Sequence, residues 1–294
     1  MMITRVEKIL AKRYLCIVAL AMLAGLTAIA QINIWEGVPG HKKVEMTPYV
    51  AKGKGNVAVV VCPGGSYFWH DMQTEGHEVG LWLQRNGISA FVLRYRTATI
   101  PAFVTRYRYL LRGNRYPDPQ QDLQRTIIYL KAHADEYGID SRKIGAMGFS
   151  AGGHLAMSAA ELFNKDCRPA FAALLYPVVT MSAECVHKRS RRALLGDDKK
   201  NNRALRDSLS LEMHVPYDCP PVFLVNCKDD PVVDYRNSVL LNDALSAKNI
   251  PHLYIQYQTG GHGFGASQTK GTAECRQWKA EFLKWIEPFR NNPF

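Results

Sequence analysis

The 294-residue chain predicts an α/β fold on a mostly parallel central sheet, and three observations carry that prediction. Asn56–Cys62 (NVAVVVC) is a continuous apolar, β-branched run, the signature of a strand buried on both faces. Similar runs recur along the chain and alternate with segments of helical spacing, which right-handed crossovers turn into parallel strand pairs. Glycine-rich turns follow several of these runs, at Pro63-Gly64-Gly65-Ser66, Gly148–Gly153 and Gly260–Gly265. With 47% hydrophobic and 21% charged residues, the composition excludes wholesale disorder and a coiled coil. A chain of this length buries enough surface to need neither disulfides nor a metal to stay folded.

The N-terminus reads as an export signal. Arg5, Lys8, Lys12 and Arg13 form a basic head, Tyr14 to Thr27 is apolar, and Ala28-Ile29-Ala30 supplies small residues for a cut before Gln31. The apolar run is short for a spanning helix of about 20 residues. Residues 1–30 are therefore expected to be a cleaved signal peptide, with 31–294 a single periplasmic or secreted domain and no stable membrane insertion. The leader carries a net charge of +3, which leaves +8 of the chain's +11.

Residues 31–54 read as irregular. After the Asn56–Cys62 strand come a helix over 75–86, stopped by Gly87, and a strand over 88–93. Residues 97–115 have no clear period and read as an insertion. Leu123, Ile127 and Leu130 mark one face of a helix over 122–137, with Gly138 at its end. A strand over 144–148 leads into a small-residue helix over 151–163, followed by a strand over 171–176. Residues 180–217, polar and basic, read as a cap or long connection. Strands over 222–227 and 253–257 flank a helix over 238–248, and a last helix runs over 275–286. No internal repeat, low-complexity segment or domain linker interrupts this order.

Arg94, Arg96, Arg106, Arg108, Arg112, Arg115 and Arg125 concentrate positive charge. No nucleic-acid motif accompanies them, so they are expected to be solvated surface. Seven cysteines, at 16, 62, 167, 185, 219, 227 and 275, match no metal-site spacing or compact disulfide framework. Cys62 and Cys227 end apolar runs and read as core, whereas Cys167, Cys185, Cys219 and Cys275 are open to pairing in an oxidising compartment.

The chemistry concentrates at Gly148-Phe149-Ser150-Ala151-Gly152, a G-x-S-x-G sequence with a strand entering and a helix leaving. Small residues allow the tight strand-to-helix turn that lifts a serine hydroxyl above a sheet edge. A serine needs a base, and the base needs an orienting acid, in the chain order Ser, acid, His for this kind of turn. His262 lies in Gly260-Gly261-His262-Gly263-Phe264-Gly265 after the last expected strand. His252 reads as a surface residue and His154 as structural. Three carboxylates follow the 222–227 strand. Asp230, before Pro231, is favoured as the acid, with Asp229 and Asp234 kept as competitors and Asp229 read first as a solvated turn residue. The oxyanion donors are assigned to the amides of Ala151 and of Gly65 or Ser66, where glycine lets the backbone approach a substrate oxygen. No GK[ST] follows the 63–66 turn, so it does not read as a phosphate loop.

Together these residues resemble a known group. Cys62–Tyr67 with Glu75-Gly76, Val92–Arg96, Arg115–Asp122, Gly148–His154, Leu194–Gly196, Asp229–Asn237 and Gly260–Gly265 occur in the order seen in exported α/β-hydrolases. These are related to acetyl xylan esterases and to the feruloyl esterase domains attached to some xylanases. The resemblance implies an α/β-hydrolase fold, a Ser150–Asp230–His262 triad, no metal or organic cofactor, and carbohydrate-linked esters as substrates. Three features depart from the pattern. Ser66 stands where a third glycine is usual, residues 97–115 are longer and more basic, and Asp234 stands where proline is common. The expected function is a secreted serine carboxylic-ester hydrolase, an acetyl (xylan) esterase. The other readings are a prolyl-oligopeptidase-type exopeptidase and a non-catalytic sugar-binding protein on a hydrolase scaffold. The first lacks β-propeller length before the hydrolase region, and the intact Ser-Asp-His order counts against the second.

Overall fold

The computed structural model describes residues 31–104 and 113–291. The expected signal peptide and residues 105–112 of the basic stretch lie outside the described residues. The strands are β1 (Ile32–Asn33), β2 (Glu45–Tyr49), β3 (Asn56–Cys62), β4 (Ser89–Arg94), β5 (Ile139–Phe149), β6 (Ala172–Leu175), β7 (Val222–Cys227) and β8 (His252–Tyr257). The helices are α1 (Glu78–Arg85), α2 (Ile100–Val104), α3 (Asp118–Ala132), α4 (Ala151–Leu162), α5 (Lys188–Leu195), α6 (Arg203–Ser208), α7 (Arg236–Ala247) and α8 (Trp278–Asn291). The strands form one sheet in the order β1-β2-β4-β3-β5-β6-β7-β8. All neighbours from β4 to β8 pair in parallel, and β1 and β2 pair antiparallel at one edge.

The continuous apolar strands are buried on both sides, as their composition dictates. In β3, Ala58, Val60 and Cys62 face a core shared with Leu123, Ile127 and Leu130 of α3 and Leu155 of α4. Val57, Val59 and Val61 face the opposite core, with Val79 and Leu83 of α1 and Trp278, Phe282 and Ile286 of α8. The two-residue period of the pleat thus sends alternate side chains into two separate cores. α4 and α7 close a third cluster over β5, β6 and β7.

Several expectations are corrected. Residues 31–54 are not irregular, because β2 pairs with β4 across Glu45↔Arg94 to Tyr49↔Ala90. Pro48 hides this strand in the sequence. It is tolerated because β1 pairs only with residues 45 and 46, so the outer side of β2 has no strand partner at Pro48. The third helix starts at Asp118 rather than 122, with proline in its first turn, and ends at Ala132. The helix expected over 75–86 is split into a π-helical turn, Met72–His77, and α1. Part of the 97–115 stretch forms α2, and the 180–217 connection carries α5 and α6.

Not all of the described arginines of the basic stretch are solvated. Arg96 is bound by Asp118 and by fully buried Asp122. Arg115 pairs with Asp198, and Arg125 donates to the Ile34 carbonyl at 3.0 Å and lies over Trp35. All six cysteines among the described residues are free and buried. Cys275 meets Cys227 around Gly260 and not one of the three cysteines considered as partners.

Candidate active site

The parallel strands all deliver their C-terminal ends to one edge of the sheet. Four of the loops leaving that edge carry the expected site residues: Pro63–Ser66 after β3, Ser150 after β5, Asp230 after β7 and His262 after β8. β3 and β5 are the adjacent strands at which the chain order reverses direction, since β4 lies on the far side of β3. Such a switch point leaves a crevice at the strand ends, the usual place for a ligand in an open α/β sheet.

Ser150 occupies a strained turn, at φ 53° and ψ −119°, a conformation that costs about 1–3 kcal/mol. The surroundings over-determine it. Its amide donates to the Leu175 carbonyl at 3.0 Å, and its carbonyl accepts from the amides of Gly153 and Val178. The flanking glycines are required by close approach. A Cβ on Gly148 would lie 2.0 Å from the Gly152 carbonyl oxygen, and one on Gly152 would lie 2.0 Å from that of Cys62.

The structure brings Ser150, His262 and Asp230 into one hydrogen-bonded chain. Asp230 Oδ2 lies 2.6 Å from His262 Nδ1, and His262 Nε2 lies 2.9 Å from Ser150 Oγ. A carboxylate only accepts, so Nδ1 carries the ring proton and Nε2 is left to accept from the serine hydroxyl. Asp230 Oδ1 accepts from the amides of Val232 and Val233, at 2.8 and 3.0 Å, which fixes the carboxylate plane. The Asp230 side chain is 1% exposed and that of His262 13%.

The neighbouring acids do other jobs. Asp229 is more than a solvated turn residue, because its oxygens accept from the amides of Gly260 and Gly261 at 3.2 and 2.9 Å and so hold the histidine loop. Asp234 is engaged by the Arg236 guanidinium at 2.7 Å and does not reach the imidazole. That pairing holds its carboxyl below the usual range.

The loop that carries two of the expected oxyanion donors packs against the serine. A Cβ on Gly64 would lie 2.8 Å from Ser150 Cβ, so the 63–66 backbone is pressed against the elbow. Gly65, Ser66 and Tyr67 all have positive φ, at 138°, 55° and 61°. Among the described residues, the amides of Gly65, Ser66 and Ala151 donate to no protein acceptor. Buried amides without partners are rare, and aiming them at a ligand oxygen is one way to retain them.

His154 is structural, as expected. It is fully buried, with Nε2 donating to the Leu209 carbonyl and Nδ1 accepting from the Tyr67 hydroxyl, both at 2.9 Å. Burial lowers its pKa to about 4, so the ring is neutral at pH 7. His252 is half-buried and bonded to Ile250 and Asn242 rather than being an open surface residue.

Sequence reasoning missed three residues beside the triad. Glu75 is buried, and its oxygens accept from the Gly64 amide at 2.7 Å and the Tyr176 hydroxyl at 2.8 Å. Burial pushes its carboxyl up, against the pull of the His262 charge and these two donors. Tyr176 lies against His262 with ring centroids 4.6 Å apart. His187, on the connection before α5, is lowered to about 4 by burial and by the charges of Arg189 and His262. The Glu75-Gly76 pair among the residues that carry the family resemblance was the one signal available; the π-helical turn that holds it, of a kind that gathers at functional sites, is visible only in the structure.

This arrangement has counterparts in known proteins. The BD-FAE family model matches residues 47–245, which include the serine, the Asp230 loop and the 63–66 turn. The chain belongs to the BD-FAE family. The BD-FAE chain is 30% identical over 226 residues to an acetylxylan esterase of Xylanibacter ruminicola, covering 76% of this chain and 44% of that protein. It is 32% identical over 216 residues to endo-1,4-beta-xylanase B of Butyrivibrio fibrisolvens, covering 70% of this chain and 32% of that one. The chain thus spans less than half the length of these curated relatives. Among solved structures it is similar to an acetyl ester-xyloside bifunctional hydrolase from Caldicellulosiruptor lactoaceticus. There the TM-score is 0.77, at 32% identity over 88% of this chain and 96% of that one. A carboxylesterase from Lactobacillus plantarum shares the fold, with a TM-score of 0.73, at 19% identity over 91% of this chain and 100% of that one. The BD-FAE chain has the α/β-hydrolase fold that its sequence implied.

Proposed function

We propose that this chain is a serine carboxylic-ester hydrolase that removes O-acetyl groups from xylan or its oligosaccharides. The observation that carries the reading is the Ser150–His262–Asp230 chain of hydrogen bonds at the strand ends. Ser150 Oγ attacks the ester carbonyl while His262 Nε2 takes its proton and returns it to the leaving alcohol. Asp230 holds the tautomer and stabilises the imidazolium. The amides of Ala151 and of Gly65 or Ser66 receive the oxyanion. Water then attacks the acyl-serine, with His262 again the base, and releases the acid. No step calls on a metal or organic cofactor.

The relatives named for acetylxylan and acetyl-ester hydrolysis support the acetyl group as substrate. Two of the three loop aromatics support a small acyl group as well. Tyr67 and Phe68 are buried in the core, 1% and 3% exposed, which leaves only the half-buried Trp69 as a surface for a feruloyl ring. The same proposal includes export, with residues 1–30 as the signal. No helix of the described residues is long and apolar enough to cross a membrane.

The test is product analysis on acetylated and feruloylated xylo-oligosaccharides, with Ser150→Ala as the control. Acetate should be the main product, and the variant should lose roughly 10⁴-fold or more in turnover. Equal activity in the variant would remove the serine mechanism. Release of ferulate in preference to acetate would move the substrate class. Export is read from the mass of the mature N-terminus, expected at Gln31.

A further inference from the structure

Glu75 is a buried carboxylate that takes no part in the reaction just described, and its contacts join the two loops on which that reaction depends. It stands in the π-helical turn Met72–His77 and is 3% exposed. Asp71 caps this turn by accepting from the Thr74 amide at 2.9 Å. Toward the oxyanion loop, Glu75 Oε2 accepts from the Gly64 amide at 2.7 Å, and a Cβ on Gly64 would lie 2.6 Å from that same oxygen. The Gly64 backbone is therefore packed closely against both Glu75 and Ser150. The next two amides in the chain are those of Gly65 and Ser66.

Toward the histidine loop, Glu75 Oε1 accepts from the Tyr176 hydroxyl at 2.8 Å. That hydroxyl accepts in turn from the Gly265 amide at 2.9 Å, three residues from His262. The Tyr176 ring packs against both the imidazole and Phe264, with centroids 4.6 Å away in each case. A second tie runs alongside, because the Ala266 amide donates to the carbonyl of Thr74 at 3.1 Å.

We propose that Glu75 is a positioning residue for transition-state stabilisation: through Gly64 it sets the oxyanion-loop amides, and through Tyr176 and Gly265 it sets His262 against them. The proposal rests on the esterase reading above. Oxyanion stabilisation depends on donors fixed within a few tenths of an ångström of where charge develops, so the support of those donors acts on the transition state more than on bound substrate. Two charge-assisted bonds to one buried carboxylate give that support, and an apolar residue in its place would leave the Gly64 amide and the Tyr176 hydroxyl without it.

The experiment compares Glu75→Gln and Tyr176→Phe with the native chain and with Ser150→Ala. Active sites are counted by complete labelling with a fluorophosphonate. The readouts are kcat and KM per labelled site on p-nitrophenyl acetate, and the inhibition constant of a trifluoromethyl ketone, whose serine adduct carries an oxyanion. In Glu75→Gln, kcat per site should fall roughly 10- to 100-fold, less than losing a donor outright. KM should stay within about two-fold and the inhibition constant should rise by the same factor as kcat falls. Tyr176→Phe keeps the Gly64 bond and should show the same pattern at roughly ten-fold, which carries the test if Glu75→Gln does not fold. A loss confined to the number of labelled sites, with kcat per site unchanged, would mean a purely structural role and overturn the proposal. So would native kcat in both variants while Ser150→Ala is inactive, an outcome that leaves the esterase reading standing. Activity in Ser150→Ala would instead bring down the esterase reading itself.

Discussion

Replacing each of the three acids after β7 by asparagine separates their roles. In Asp230→Asn, Oδ1 keeps its two backbone donors, Val232 and Val233. The other end of the amide then presents N–H to His262 Nδ1, where the native carboxylate accepts at 2.6 Å. Two donors cannot face each other, so the ring moves its proton to Nε2. Ser150 then meets a donor instead of an acceptor. The wrong tautomer costs roughly 10⁴-fold in kcat, about 5.4 kcal/mol of transition-state stabilisation. In Asp229→Asn one of two amide bonds to the histidine loop is lost while the triad bond survives, which costs roughly ten-fold, about 1.4 kcal/mol. Asp234→Asn loses a solvent-screened surface ion pair with Arg236 that contributes little to stability, and keeps kcat within about two-fold. The assay is kcat on p-nitrophenyl acetate, normalised to active sites, with melting curves to show that each variant is folded. A larger loss in Asp234→Asn than in Asp230→Asn would refute the assignment of the acid. Equal losses in Asp229→Asn and Asp230→Asn would refute the division between holding the loop and holding the ring.

Three further outcomes follow from the same geometry. Acetyl esters should have the highest kcat/KM, butyryl esters less, and octanoyl esters almost none, with a graded decline because each methylene in a pocket is worth only about 1–3 kcal/mol; a p-nitrophenyl ester series measures it. Gly64→Ala should lose roughly 100-fold in kcat/KM and about 1–3 kcal/mol of stability, because the new Cβ would meet Glu75 Oε2, the Phe149 carbonyl and Ser150 Cβ, all within 2.8 Å. Native activity there would show that the loop has room to move. Glu161 of α4 is buried with neither oxygen bonded among the described residues, and burial followed by the charge of Glu212 raises its carboxyl well above the ordinary value of 4.5. The folded state therefore holds that proton more tightly than the unfolded chain, and native stability falls as pH rises from 4.5 toward the raised value. Glu161→Met should melt above the native protein at pH 8, with the difference shrinking toward pH 4.5, and a pH-independent difference would contradict this.

The succession of parallel strands from β3 to β8, the turn at Ser150 and the glycine-framed His262 were legible in the sequence because each is a local pattern. The six apolar residues that follow Asn56 in Asn56–Cys62 read as a strand covered on both faces, and a G-x-S-x-G between strand and helix leaves the backbone few conformations. Placing parallel strand ends at one edge then puts Ser150, Asp230 and His262 near one another, although they are separated by up to 112 residues. Which of Asp229, Asp230 and Asp234 faces the imidazole was not settled locally, since all three stand on one loop within six positions and differ only in what approaches them. β2 was invisible for a related reason. Its hydrogen bonds go to β4, some 45 residues away, and Pro48 argues against a strand until the unpartnered side of β2 beside it is known.

The sequence alone thus determined the parallel strands, most of the helices between them, the tight turn at Ser150 and the glycine-framed loop of His262, through periodicity and through glycines that only a tight turn or close approach explains. Tertiary structure decided the rest. It assigned the acids their separate contacts, drew Arg96, Arg115 and Arg125 into ion pairs and packing, and placed Glu75 and Tyr176 against the loops of the candidate site, 101 residues apart in the chain. A buried carboxylate reads in the sequence like any helical glutamate. Its meaning lies in the two donors that reach it, and those donors arrive only when β3 and β6 have paired on either side of β5.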